Sequence, residues 1–217
     1  MRRTLLSILI ALSVSGAAFA DDGDVSKVNG TASVEAGQRA GDVSSVNGSV
    51  RIGDRAVVKE ASTVNGAVEL GEGASATKAE TVNGAVTLHE KAQVSGTVET
   101  VNGRLKLEKG ADVKGQLSNV NGDITVEGAH VGGGIETTNS DITIGEGARI
   151  DGGIVVKKPS MSWFNGNSRV PRVVIGPHAV VQGTLRFERE VELYVSDSAT
   201  VGRIDGATAK KFSGASP

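Results

Sequence analysis

Few residues of this 217-residue chain have the types and spacing that chemistry needs. The clearest pair is Asp123 and Asp141, 18 positions apart, one after an Asn-Gly step and one after Asn-Ser. Two carboxylates brought together can exchange a proton as acid and base, or hold calcium. The plainer reading is solvated turn acids. The three histidines, His89, His130 and His178, stand alone, without metal-ligand spacing and with no Cys to complete a set. They read as exposed corner residues. His178, in IGPHAVV, is the best candidate for an acyl-transfer base. No nucleophile elbow, phosphate loop or dinucleotide fingerprint is present. The expectation is a protein with no catalytic residue, no cofactor and no metal.

What positions these residues is a repeat. Val64-Asn65-Gly66 returns as Val82-Asn83-Gly84, and the Asn recurs at Asn29, Asn47, Asn65, Asn83, Asn102, Asn121 and Asn139. The spacings are 18 or 19 throughout. Loops would drift, so the period marks stacked units, each touching its neighbours. Behind each motif the apolar residues alternate, as in Val68 and Leu70 or Ile124 and Val126. Period two over so few residues is a strand with one buried face. A second run follows (Ala92 and Val94, Ala111 and Val113), and a third leads back into the motif (Ala61, Ala79, Val98, Leu117, Ile135). Three short strands and three corners make one triangular coil. The predicted fold is all-β: a single-stranded parallel β-helix, right-handed, of about nine coils and roughly 40 Å long.

Coils in register stack each repeat position into a column. The Asn column falls where the third strand turns into the first. Asn and Gly tolerate the left-handed backbone that a tight corner uses. Asn side chains in register can also form an amide ladder. The column is therefore expected to be structural. Arg51 should lie beside Glu69, and Lys106 between Thr87 and Thr125. A further column holds Ser45, Thr63, Thr81, Thr100 and Thr137, with Asn119 in the gap. A flat Thr array can bind ice, but this one is a single column wide, and alternation from Val98 turns Thr100 inward.

The rhythm breaks between Ile154 and Val173 and then resumes. The predicted solenoid spans 21–204, with an inserted loop at 157–171 and a tail at 205–217. The insertion carries the only Trp, Trp163, beside Phe164. In a chain this poor in aromatics the two either form a partner-binding spot or fold back over an apolar wall.

The N-terminus reads as a signal peptide, residues 1–20: Arg2 and Arg3, an apolar run from Leu5 to Val14, then Ala18-Phe19-Ala20. The run is short of a bilayer span, and no other transmembrane candidate follows. The expected location is the periplasm or outside the cell. The full chain carries 23 Lys and Arg against 25 Asp and Glu, which gives no footprint for nucleic acid. With no disulfide available, the stacking itself must hold the fold.

The 18-residue coils, the runs ITIGEGARIDGGI and VVIGPHAVVQGTL, and the Ala-x-Val second strands resemble bactofilins and the related bacterial adhesin-like β-strand-repeat proteins. The resemblance covers Val25 to Ile204. It implies a right-handed β-helix that polymerises end to end without nucleotide. An N-terminal export segment distinguishes this chain from typical bactofilins, which are cytoplasmic. Left-handed hexapeptide-repeat acyltransferases also use 18-residue coils, but 19-residue coils fit a strict hexad poorly. The expected function is structural, scaffolding or adhesive, in the bacterial envelope, with self-association through coil ends or an envelope or polysaccharide partner. The alternatives are a carbohydrate-active or acyl-transferring solenoid, or a binding module using Trp163 and Phe164.

Overall fold

The computed structural model describes residues 23–159 and 169–217. The expected signal peptide and the pair Trp163 and Phe164 lie outside the described residues. Among those described, all regular structure is β-strand, and each strand lies parallel on its counterpart in the next turn. One column reads Val25, Val43, Ala61, Ala79, Val98 in unbroken register. The chain is a parallel β-solenoid, as the period predicts.

Three walls form the tube. The first includes Val68–Leu70 and Val86–Leu88, the second Gln93–Val94 and Asp112–Val113, the third Glu60–Asn65 and Lys78–Asn83. Alternation places Val68, Leu70, Ala61 and Val94 inside, and all are fully buried. An Ala column (Ala56, Ala74, Ala92, Ala111) keeps the second corner tight, and all four are buried. Among the described residues Phe187 is the one aromatic in this core. Small aliphatic groups fill so narrow an interior without strain.

The tube has ten turns, against about nine predicted. The difference lies at the C-terminal end, where the sequence suggests a tail from residue 205. Ile204–Asp205 pairs with Leu185–Phe187, and Ala209–Phe212 pairs with Glu192–Ser196. These short strands form a tenth rung.

The corners differ from the expectation in a physical detail. Left-handed backbone is absent from Asn47, Asn65, Asn83 and the glycines that follow them. The glycine is needed there for space. A Cβ on Gly66 would stand 2.2 Å from the Gly48 carbonyl oxygen, and one on Gly103 would stand 1.7 Å from that of Gly84. Gly30 and Gly122 are left-handed at the Asn corner, but the regular left-handed column runs through a different corner, between the first and second walls, and includes Arg55, Gly73, Lys91, Gly110, Gly147 and His178.

Candidate functional site

The Asn column is a continuous hydrogen-bonded ladder. Asn47 Nδ2 donates to Asn29 Oδ1 at 3.3 Å, and Asn65, Asn83, Asn102, Asn121 and Asn139 repeat the contact at 2.9–3.1 Å. It stops at Asn139 because the chain changes there. In the eighth turn the corner from third to first wall lies between Ile154–Val156 and Arg172–Ile175, and among the described residues it carries no Asn-Gly. Arg189, from the same corner one turn later, closes the ladder. Its Nη1 donates to Asn139 Oδ1 at 2.5 Å and to the Thr138 carbonyl at 3.2 Å, while Nη2 donates to the Arg169 carbonyl at 3.2 Å.

The Thr column points inward and cannot form an ice-binding face. Thr63 and Thr81 are fully buried, and Thr100 is nearly so. Each hydroxyl donates to the carbonyl of the motif glycine one turn earlier: Thr63 to Gly48 at 2.7 Å, Thr81 to Gly66 at 3.0 Å, Thr100 to Gly84 at 3.1 Å. Asn119 does more than fill a gap. Its Nδ2 donates to the Gly103 carbonyl at 3.2 Å, and its Oδ1 accepts from Thr137 Oγ1 at 2.6 Å and Ser140 Oγ at 2.5 Å. One amide thereby joins three turns.

The solenoid brings Asp123 and Asp141 together in one column of the first wall. A groove of about 460 Å³ opens over them, lined also by Arg104, Lys106, Thr125, Glu127, Thr143 and Arg169. Each aspartate is held by an arginine. Arg104 Nη2 lies 3.4 Å from Asp123 Oδ2, and Arg169 Nη2 contacts Asp141 Oδ2. Asp141 Oδ1 also accepts the Arg172 backbone N–H at 2.9 Å, so this carboxylate fastens the chain as it returns from the insertion. Lys106 Nζ reaches Glu108 at 3.0 Å and lies 3.9 Å from Glu127. Glu108, bonded also by His89 Nδ1 at 3.1 Å, is held below the usual carboxylate range, chiefly by Lys106. The floor is hydroxyl and the rim carries both signs of charge. Such a groove can grip a hydroxyl-rich ligand, with carboxylates accepting and guanidinium groups donating.

His130 is the histidine that sequence reasoning undervalued. It occupies the same second-wall column as Asp112, one turn on. Its Nδ1 lies 2.6 Å from Asp112 Oδ1 and its Nε2 lies 2.9 Å from Asp151 Oδ2. Two ionised carboxylates offer only acceptors, so the geometry suits a ring that donates from both nitrogens, an imidazolium. Bonds to Asp151 and then Asp112 raise its pKa, and Asp151 is lowered in return. Arg149 Nε stands 2.8 Å from Asp151 Oδ1, an ion-pair distance without hydrogen-bond alignment. The signal was available: Asp112 and His130 are one repeat apart. Asp151 sits two residues beyond the column and reaches back to it.

His178 is an exposed corner residue with φ of 55°, in the left-handed column. Its backbone N–H donates to Ser198 Oγ at 3.2 Å. That position explains the residue as part of the turn.

No family model, curated protein or solved structure matches this chain.

Proposed function

We propose that this protein is an exported structural rod of the bacterial envelope, which scaffolds or adheres and associates through its coil ends. The observation that carries the reading is the open first rung. Val25–Asn29 and Ala32–Val34 pair only with the turn that follows them among the described residues. The outer edge presents backbone N–H and C=O groups, and Val28 is 58% exposed beside them. Unpaired edges of this kind recruit another strand unless they are blocked. About ten turns held by parallel ladders give a stiff body that fixes this edge in orientation. Light scattering over a wide concentration range, with electron microscopy of the same sample, tests this. Concentration-dependent rods or end-joined pairs support it, and a strict monomer at every concentration refutes it. Cell fractionation of a tagged chain tests the location.

A second reading has one observation in its favour. The groove joins Asp123 and Asp141 with Arg104, Lys106 and Arg169, which is the constellation a carbohydrate-active solenoid would use. Each carboxylate is already engaged by an arginine, so the groove suits glycan binding better than glycan cleavage. Calorimetry with soluble oligosaccharides tests it, with Asp123→Ala as control. No heat with neutral, acidic or amino-sugar oligomers would remove this reading.

A further inference from the structure

We infer that the Asn-Gly column is a row of latent deamidation sites silenced by the fold, and that Asn29, on the open first rung, is the one left reactive.

Asn-Gly is a chemically weak step, and Asn is among the thermolabile residues. The backbone nitrogen of the following residue attacks the side-chain Cγ. A new C–N bond closes a five-membered succinimide, the Cγ–Nδ2 bond breaks, and ammonia leaves with the proton. One water then opens the ring to aspartate or isoaspartate. Glycine exposes the attacking nitrogen most, because it has no side chain to shield it. This chain carries six such steps in one column, from Asn29-Gly30 to Asn121-Gly122. The fold does not let it avoid them. At Gly48, Gly66, Gly84, Gly103 and Gly122 a Cβ would come within 1.7–2.2 Å of the preceding turn's glycine carbonyl oxygen.

Two features hold the interior sites inert. The attacking nitrogen is occupied: Gly48 N–H donates to the Asn65 carbonyl at 3.0 Å, Gly66 to Asn83 at 3.1 Å, and Gly84 to Asn102 at 3.0 Å. That nitrogen must give up its proton to react, and a proton already donated to a carbonyl is not free to leave. The leaving amide is also tied, since each interior side chain donates upward and accepts from below in the ladder. Turning Cγ toward the glycine nitrogen breaks both bonds. Reaction then requires a local opening of the rung, and the rate falls by the population of that opening.

Asn29 is built differently at the same position. Its Oδ1 accepts from Asn47 at 3.3 Å, the longest contact of the ladder, and among the described residues none precedes it to receive its Nδ2. Gly30 alone of the first five motif glycines has left-handed backbone, with φ of 93°, and a Cβ there would meet nothing within 4 Å. The Gly30 N–H bond to the Asn47 carbonyl, 2.9 Å, is not backed by a rung before it among the described residues, so opening it disturbs one neighbouring turn and not two. Opening to aspartate keeps the ladder contact, since its carboxylate still accepts from Asn47 and the first rung gains a negative charge; opening to isoaspartate adds a backbone atom at a position with no rung before it among the described residues.

The test is peptide mapping by mass spectrometry of purified full-length protein aged at mildly alkaline pH, in native buffer and in concentrated urea. In urea the Asn-Gly steps should convert at similar rates. In native buffer Asn29 should convert at least about tenfold faster than Asn65 or Asn83, a ratio set by the opening free energy of interior rungs. Equal rates at Asn29 and Asn65 in the folded protein would overturn the inference. So would interior rates that urea leaves unchanged.

Discussion

Thr63 Oγ1 donates to the carbonyl of Gly48 at 2.7 Å, joining a residue two before one ladder Asn to the residue just after the ladder Asn of the preceding turn. The bond explains two parts of the motif together. The glycine must be bare because a Cβ on it would strike the glycine carbonyl of the preceding turn, and the inward Thr of the following turn supplies its own carbonyl with a donor. Outside, the amide ladder ties the same corners. Each corner is thus fastened from both faces, which is how a chain without disulfides keeps its turns in register.

Thr63→Val should therefore cost about 1–2 kcal/mol, because a buried carbonyl loses its donor while the shape is kept. Thr63→Ser should recover most of that, since Ser45 makes the same bond at 2.9 Å in its own turn. Urea titration followed by circular dichroism measures both. A solenoid can melt in sections, so the expected sign is a loss of midpoint or a broadened transition. Equal stability of Thr63→Val and wild type would show that the hydroxyl contributes nothing.

Glycines in the two corner columns should respond differently to alanine. Gly66→Ala drives a Cβ to 2.2 Å from backbone oxygen, and about 3 kcal/mol or more is expected, at the upper end of overpacking costs. Gly147→Ala meets open space but must hold φ near 67°, costing about 1–2 kcal/mol. Thermal midpoints should rank wild type, Gly147→Ala, then Gly66→Ala. The reverse order would mean that backbone conformation, and not rung contact, selects glycine beside Asn.

The His130 bridge should show in the pH dependence of stability. Its folded pKa is raised by Asp151 and Asp112. The contribution is fully present below the ordinary imidazole value, about 6.5, and is lost as pH rises through the higher folded value. Asp151 is shifted downward, so its share is lost as pH falls through that lowered value. His130→Gln should be less stable than wild type at pH about 6, with the gap closing under alkaline conditions. A gap of constant size from acid to alkali would exclude the imidazolium.

Much of this architecture is legible in the sequence, because a solenoid writes its geometry as a period. Adding 18 or 19 to Asn65 or Val68 gives the residue stacked upon it, and alternation gives the buried face. What escaped reading depends on atoms that the period does not encode. Arg55, Lys91 and His178 share one left-handed backbone conformation, yet none is the Gly or Asn that a sequence reader associates with it. The reason for glycine beside Asn is a distance between rungs, which composition cannot reveal. Arg169 joins the groove from the end of the insertion, where it contacts Asp141, and a long insertion hides where its end returns. The Asp123–Asp141 column was visible; its arginine partners on both sides were not.

Glu60 and Glu80 supply a second pH effect, with the same sense as His130 but at lower pH. Glu80 is only 3% exposed, and Lys78 Nζ lies 2.6 Å from its Oε2. Glu60 stands on the neighbouring strand, opposite Lys78. Burial, and then a hydrogen bond to Glu80, raise the Glu60 pKa to about 6. Two carboxylates that close share a proton more readily than they hold two charges. For an acid with a raised folded value, the folded state binds the extra proton. Stability is therefore undiminished below the unfolded value of about 4.5 and falls as pH rises from there to about 6, after which the loss is complete. Glu60→Gln keeps a donor toward Glu80 without the second charge. It should be more stable than wild type at neutral pH and indistinguishable from it near pH 4, where Glu60 is already protonated. Urea midpoints for the two proteins across that range decide the matter, and a variant less stable at neutral pH would show that the Glu60 charge is welcomed by Lys78 and not repelled by Glu80.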